Sequence, residues 1–90
     1  MPSNLEKFLN DRHIKFICSK LYNSEVFNIS EFNTVESFKR FEKFCKKYSA
    51  STAENYCWRL HRILALYDIP SDILDKYSNL SASYKFIMSG

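Results

Sequence analysis

The scarcity of turn-forming residues is the strongest constraint on the fold of this chain. Its 90 residues include one glycine and two prolines. The tight turns of a small sandwich or barrel depend on glycine, proline and asparagine–glycine pairs, so this composition argues against an all-β architecture. The sequence therefore predicts an all-α fold, a compact bundle of four or five helices formed as a single domain over residues 1–90.

Apolar residues recur at helical spacing along most of the chain. The predicted helices cover about 4–22, 34–47, 51–67, 71–78 and 80–88. The first three begin with pairs typical of a capping box: Ser3 with Glu6, Asn33 with Glu36, and Ser51 with Glu54. Pro70 ends the third helix, and Ser78-Asn79 separates the last two.

The third helix has the clearest pattern and should lie at the centre of the bundle. Its apolar stripe consists of Ala53, Tyr56, Cys57, Leu60, Ile63, Leu64 and Tyr67. Three apolar residues of the loop after the first helix, Val26, Phe27 and Ile29, are expected to fill the core from outside the helices.

The cysteines predict neither disulfides nor a metal site. Cys18, Cys45 and Cys57 are odd in number and form no C-x-x-C pair, and His13 and His61 add no zinc-like spacing. We expect buried free thiols in a cytoplasmic protein without metal or other cofactor. The chain has no apolar run long enough to span a bilayer and no signal-peptide pattern, so we expect no membrane association.

Positive charge is concentrated in the middle of the chain. Residues 37–62 contain seven basic and two acidic residues, whereas the rest contains six basic and eight acidic residues. A basic centre in an otherwise weakly acidic protein is typical of a nucleic-acid footprint, although a solvated helix face gives the same count. Predicted contacts to DNA phosphates are Lys39, Arg40, Lys43, Lys46, Lys47, Thr52 and Arg62.

The third helix also carries side chains suited to reading bases. Thr52, Asn55, Arg59 and Arg62 lie off the apolar stripe and are expected to share an exposed face, with Trp58 beside them. Asparagine pairs with adenine and arginine with guanine through two hydrogen bonds, so we predict base contacts by Asn55 and Arg59. In the competing interpretation, Thr52 and Asn55 are ordinary residues of the first helical turn, and Trp58 is a partly buried lid on the core.

One known pattern matches residues 34–67. An aromatic-rich helix and a short turn precede a helix of the form S-x-x-T-x-x-x-Y-x-x-x-L-x-x-(F/I/L), met by Ser49, Thr52, Tyr56, Leu60 and Ile63 or Leu64. This segment resembles the N-terminal, core-binding domain of tyrosine recombinases and phage-type integrases. The resemblance implies an all-helical domain that forms half of a clamp around duplex DNA during DNA recombination. This chain departs from the family because roughly 33 residues precede the first of these helices, where the family usually has fewer.

The same segment also fits a helix-turn-helix, with 34–47 as the positioning helix and 51–66 as the recognition helix. The residues after Tyr67 are too few for the recombinase catalytic half with its Arg, His and Tyr constellation. No phosphate-binding loop, zinc-protease motif or nucleophile elbow occurs. The sequence therefore predicts a non-catalytic double-stranded-DNA-binding domain with no small-molecule substrate, or one domain of a larger enzyme.

A protein-interaction module is the alternative. Eight phenylalanines, six tyrosines and one tryptophan are many for a core of this size. Exposed rings would suit a homodimer interface or docking onto a larger protein partner, whereas buried rings would be simple core filling.

Overall fold

In the computed structural model, which describes residues 4–89, the chain forms five α-helices and one 3₁₀ turn, with no β-strand among those residues. The helices are α1 (Asn4–Leu9), α2 (Arg12–Tyr22), α3 (Val35–Cys45), α4 (Ala50–Leu64) and α5 (Ser71–Ser89), and the 3₁₀ turn is Ile29–Glu31. The predicted all-α bundle is therefore confirmed.

Helix α4 lies at the centre of the bundle, as its apolar stripe predicts. It packs most extensively against α5 and also contacts α1 and α2. Its six buried residues are Ala53, Tyr56, Cys57, Leu60, Ile63 and Leu64. The rest of the core comes from the other helices and the loop before α3: Ile14, Ile17, Cys18, Phe32, Phe41, Phe44, Cys45, Ile73 and Tyr77.

The single predicted helix over 4–22 is wrong, because the chain forms two helices there. Asp11 interrupts the run with extended backbone, and its side chain accepts a 2.7 Å hydrogen bond from the backbone N–H of His13. This is an N-cap, which satisfies a free donor of the first turn of α2 and so starts a new helix. The predicted capping box of Ser3 and Glu6 lies partly outside the described residues.

Helix α3 begins with a capping box one residue further along than predicted. Thr34 is the N-cap, and its hydroxyl accepts from the backbone N–H of Ser37 at 3.1 Å. The Ser37 hydroxyl in turn accepts from the Thr34 N–H at 3.0 Å. The expected pairing of Asn33 with Glu36 is therefore wrong. Ser37 is buried, because this exchange satisfies its hydroxyl.

The start of α4 also lies slightly earlier than predicted. Ser49 is the N-cap, and its hydroxyl accepts from the backbone N–H of Thr52 at 3.4 Å. The predicted capping box of Ser51 and Glu54 is wrong, because the cap is formed before Ser51. The helix ends at Leu64 rather than at residue 67, and a turn follows.

The two predicted C-terminal helices, 71–78 and 80–88, are one uninterrupted helix, α5. Serine and asparagine are only weakly unfavourable inside a helix, and tertiary packing outweighs that small cost here. Ile73 and Tyr77 are buried, while Leu80 and Tyr84 are half-buried against the same core. This stripe continues across Ser78-Asn79, so the helix continues with it.

The connection between α2 and α3 fills the core with two of the three expected residues. The ring of Phe27 stacks on that of Phe32 at 5.1 Å, and Ile29 is half-buried against the core. Val26 is 77% exposed, so its predicted place in the core is wrong. Asn23 ends α2 in the left-handed conformation that asparagine tolerates better than most residues.

Candidate nucleic-acid interface

The basic residues predicted on the second helix form one exposed surface, which we call the α3 basic face. It consists of Lys39, Arg40, Lys43, Lys46 and Lys47, and all five side chains are exposed. At about 100° per residue, Lys39, Arg40 and Lys43 fall within an arc of roughly 100° around the α3 axis. Lys46 and Lys47 follow in the turn after Cys45. The opposite side of α3 buries Phe41, Phe44 and Cys45 in the core, which fixes the basic face toward solvent.

Most of the charge on this face is uncompensated. Arg40 lies 3.6 Å from a carboxylate oxygen of Glu31, and its guanidinium group lies 5.6 Å from the Tyr22 ring. The four lysines make no ion pair with any residue in 4–89. They therefore present a concentrated positive charge with no internal counter-ion.

The predicted site residue Thr52 lies at the start of α4. Its backbone N–H and its hydroxyl group both contact the Ser49 side chain, the hydroxyl accepting at 3.1 Å. Thr52 is half-buried. Its polar groups therefore take part in capping α4.

Arg59 and Asn55, the predicted base-reading pair, contact each other and a residue from another helix. The Arg59 Nε donates to the Asn55 Oδ1 at 3.0 Å, and Arg59 Nη1 forms an ion pair with Asp11 Oδ2. The side chains of Arg59 and Asp11 are 23% and 20% exposed. The arrangement ties the centre of α4 to the N-cap of α2.

Asp11 is held as a carboxylate by these contacts. Partial burial raises its pKa, but the backbone hydrogen bond from His13, the charge of Arg59 and the nearby His13 ring together lower it below the usual 3.8. The His13 Nδ1 lies 3.2 Å from Asp11 Oδ1. The carboxylate therefore neutralises Arg59 under ordinary conditions.

Arg62 lies between two aromatic side chains. Its guanidinium carbon is 4.0 Å from the centre of the Phe8 ring and 4.1 Å from that of Trp58. The residue is half-buried, and its buried Nε has no hydrogen-bond partner among the described residues. Phe8 comes from α1, so α1 packs over this part of α4.

The structure thus separates the predicted site residues into two groups. The α3 basic face is exposed. Thr52, Asn55, Arg59 and Arg62 are half-buried, so the expectation that they form an exposed face is wrong. Asp11 pairs with Arg59 and Phe8 packs on Arg62, and sequence reasoning missed both partners. The available signal was Asp11 itself, three residues before the apolar Ile14, because aspartate is a favoured N-cap.

The three cysteines are buried and free, as the sequence predicts. Burial raises the pKa of Cys18 to about 11. The Sγ atoms of Cys45 and Cys57 lie 3.8 Å apart, and their hydrogen bond together with burial raises the pKa of Cys57. The raised pKa values keep Cys18 and Cys57 protonated, and their burial shields them from solvent, which makes both poor nucleophiles.

Within residues 4–89, no three histidine, cysteine, aspartate or glutamate side chains are grouped closely enough to hold a metal ion. None of the described helices is both long and apolar enough to cross a bilayer. Comparisons with protein-family models, curated proteins and solved structures give no match to this chain.

Proposed function

We propose that this chain is a non-catalytic DNA-binding domain whose α3 basic face contacts the phosphates of double-stranded DNA. The observation that carries the proposal is the set of four exposed lysines with no acidic partner in the described residues. Lysines that neutralise phosphates release condensed counterions, and this release supplies most of the affinity of backbone-directed binding.

The connection between α3 and α4 supports the same function. A short turn at 46–49 joins the two helices, and the buried Sγ atoms of Cys45 in α3 and Cys57 in α4 lie 3.8 Å apart. Two helices joined by a short turn agree with the predicted helix-turn-helix pair, and they cover the segment that resembles a recombinase core-binding domain. A DNA-recombination role rests on that resemblance alone.

The alternative, a protein-interaction module using exposed aromatics, has less support from the packing. All but two of the aromatic side chains are buried or half-buried, the exceptions being Trp58 and Phe86. The high aromatic content is therefore accounted for by the core. Ring contacts such as Phe38 with Tyr77 at 5.0 Å fill the space between α3 and α5.

Salt-dependent binding to a labelled duplex tests the proposal. Four lysine contacts give a slope of about −3.6 in log affinity against log salt, or roughly a 150-fold loss between about 50 and 200 mM. Lys43→Gln/Lys47→Gln should bind more weakly, with the slope reduced by about 1.8. Lys7→Gln/Lys85→Gln is the matched control, because both residues are exposed and lie on other helices.

Two results would overturn the proposal. One is an absence of duplex binding by the folded wild-type chain at low salt. The other is an equal loss of affinity in the α3 variant and the control variant. Such a result would show that the loss comes from the lower net charge and not from the α3 basic face.

Base contacts by Asn55 and Arg59 stay a separate prediction, because they require the Asp11–Arg59 ion pair to open. Asp11→Asn removes the competing charge, and Asp68→Asn changes the net charge equally at an exposed site. A larger gain in duplex affinity for Asp11→Asn would assign Arg59 to DNA contact. Equal gains would leave Arg59 with a role in the fold alone.

A further inference from the structure

Arg62 and Trp58 form a charged aromatic stack on the side of α4 that faces α1. The guanidinium group lies over both the Phe8 and Trp58 rings, at 4.0 and 4.1 Å from their centres. Two such contacts hold the planar group in one orientation, since arginine stacks readily on aromatic faces. The two rings therefore restrict the orientation of the Arg62 side chain.

The charge of Arg62 is not balanced within the described chain. Neighbouring Arg59 has the Asp11 carboxylate, but Arg62 has no ion pair or hydrogen bond to any residue in 4–89. Its Nε is buried without an acceptor, whereas its terminal amino groups keep access to solvent. A partly desolvated cation without a counter-ion is costly, and an oxyanion at the terminal amino groups would offset that cost.

Trp58 adds a second recognition element. The residue is 46% exposed although one of its faces contacts Arg62. A partly exposed indole beside an arginine is a combination on which single-stranded nucleic acids bind, with a base stacked on the ring and a phosphate on the arginine. A nucleotide carries both groups side by side.

We infer that Trp58 and Arg62 form a subsite for one nucleotide of a single-stranded nucleic acid. The base stacks on the outer face of Trp58, and a backbone phosphate accepts from the terminal amino groups of Arg62. The subsite does not depend on the duplex contacts proposed for α3. In a duplex the bases are already stacked on one another, so the subsite takes single strands and unpaired nucleotides.

Fluorescence of the wild-type protein tests this directly, because Trp58 is the single tryptophan of the chain. The protein is titrated with an oligothymidylate strand, with an abasic strand of equal phosphate number, and with a duplex. Fluorescence anisotropy of labelled strands measures binding independently of tryptophan emission. We expect saturable quenching of Trp58 by the oligothymidylate, and much weaker quenching by the other two at equal bound fractions.

Three variants separate the roles of the two side chains. Trp58→Ala should weaken oligothymidylate binding roughly 5- to 150-fold, the fold-change that corresponds to one lost base–aromatic stack. Trp58→Phe keeps a ring against Arg62 and guards against a folding defect, and it should bind better than Trp58→Ala. Leu66→Ala, at another exposed apolar residue just after α4, is the control and should leave binding unchanged.

The inference is overturned if oligothymidylate binds by anisotropy without changing Trp58 emission, or does not bind at all. Equal quenching by the abasic strand would also overturn it, since the site would then bind anions alone. The Lys43→Gln/Lys47→Gln variant distinguishes the two proposals. It should lose duplex affinity and retain Trp58 quenching by the single strand, so either proposal can fail without the other.

Discussion

The Asp11–Arg59 ion pair should contribute a large share of the stability of this domain. Asp11 both caps α2 and neutralises the half-buried Arg59, so Asp11→Ala removes two stabilising contacts at once. Loss of an aspartate N-cap costs about 1 kcal/mol. A half-buried guanidinium left without its partner costs a further ~1–3 kcal/mol. We therefore expect Asp11→Ala to lower the free energy of unfolding by about 2–4 kcal/mol.

That loss is large against the total. A domain of this length has about 5–13 kcal/mol of stability, and each 1 kcal/mol shifts the melting temperature by about 4–8 °C. Circular dichroism at 222 nm during thermal and urea unfolding measures both quantities. The expected fall in melting temperature is about 10–30 °C.

Two further variants separate the cap from the ion pair. Asp11→Asn keeps a good N-cap acceptor and removes the charge, so its loss should be smaller than that of Asp11→Ala. A double-mutant cycle with Arg59→Ala should give a coupling energy above about 0.5 kcal/mol. If Asp11→Ala is no more destabilising than Asp68→Ala, at an exposed aspartate, the reasoning is refuted.

Three other predictions follow from the same structure. Because folding lowers the pKa of Asp11, its carboxylate stabilises the folded state at pH values above the pKa that Asp11 has in the unfolded chain. The stability difference between wild type and Asp11→Asn should therefore shrink as pH falls below about 4, as measured by urea unfolding at a series of pH values. Leu60→Ala, in the core, should cost about 2–5 kcal/mol, whereas Leu66→Ala, at 52% exposure, should cost under about 1 kcal/mol in the same assay. Ser37→Ala breaks the α3 capping box and should cost about 1 kcal/mol, whereas Ser78→Ala on the exposed side of α5 should be neutral or slightly stabilising by thermal melts.

Helical periodicity predicted the elements that bury a regular apolar stripe. For α4, all six buried positions lie on the predicted stripe. The break in the first helix was not predicted, because Leu9 and Phe16 are spaced as if one helix joined them. The N-cap at Asp11 decides the geometry there, and a cap is a single local contact that hardly changes the periodicity.

The wrong prediction of two helices in place of α5 has the opposite origin. Ser78-Asn79 was interpreted as a helix break from intrinsic preference, which amounts to a few tenths of a kcal/mol per residue. Burial of Tyr77 contributes more, and its hydroxyl also donates to the Phe32 backbone carbonyl at 2.9 Å. The packing therefore outweighs the propensity, and only the tertiary structure shows that the stripe continues.

The polar face of α4 shows why arginines in a helix are difficult to assign from sequence. A guanidinium group donates hydrogen bonds to a carboxylate or a phosphate with similar geometry, so residue type and spacing do not distinguish an internal partner from a nucleic acid. The deciding fact for Arg59 is that Asp11, 48 residues away in the chain, lies within hydrogen-bond distance. Arg62, three residues further along the same helix, has no such carboxylate in the described chain. The fold thus supplies the anion for one arginine and leaves the other, like the α3 lysines, to an anion from outside.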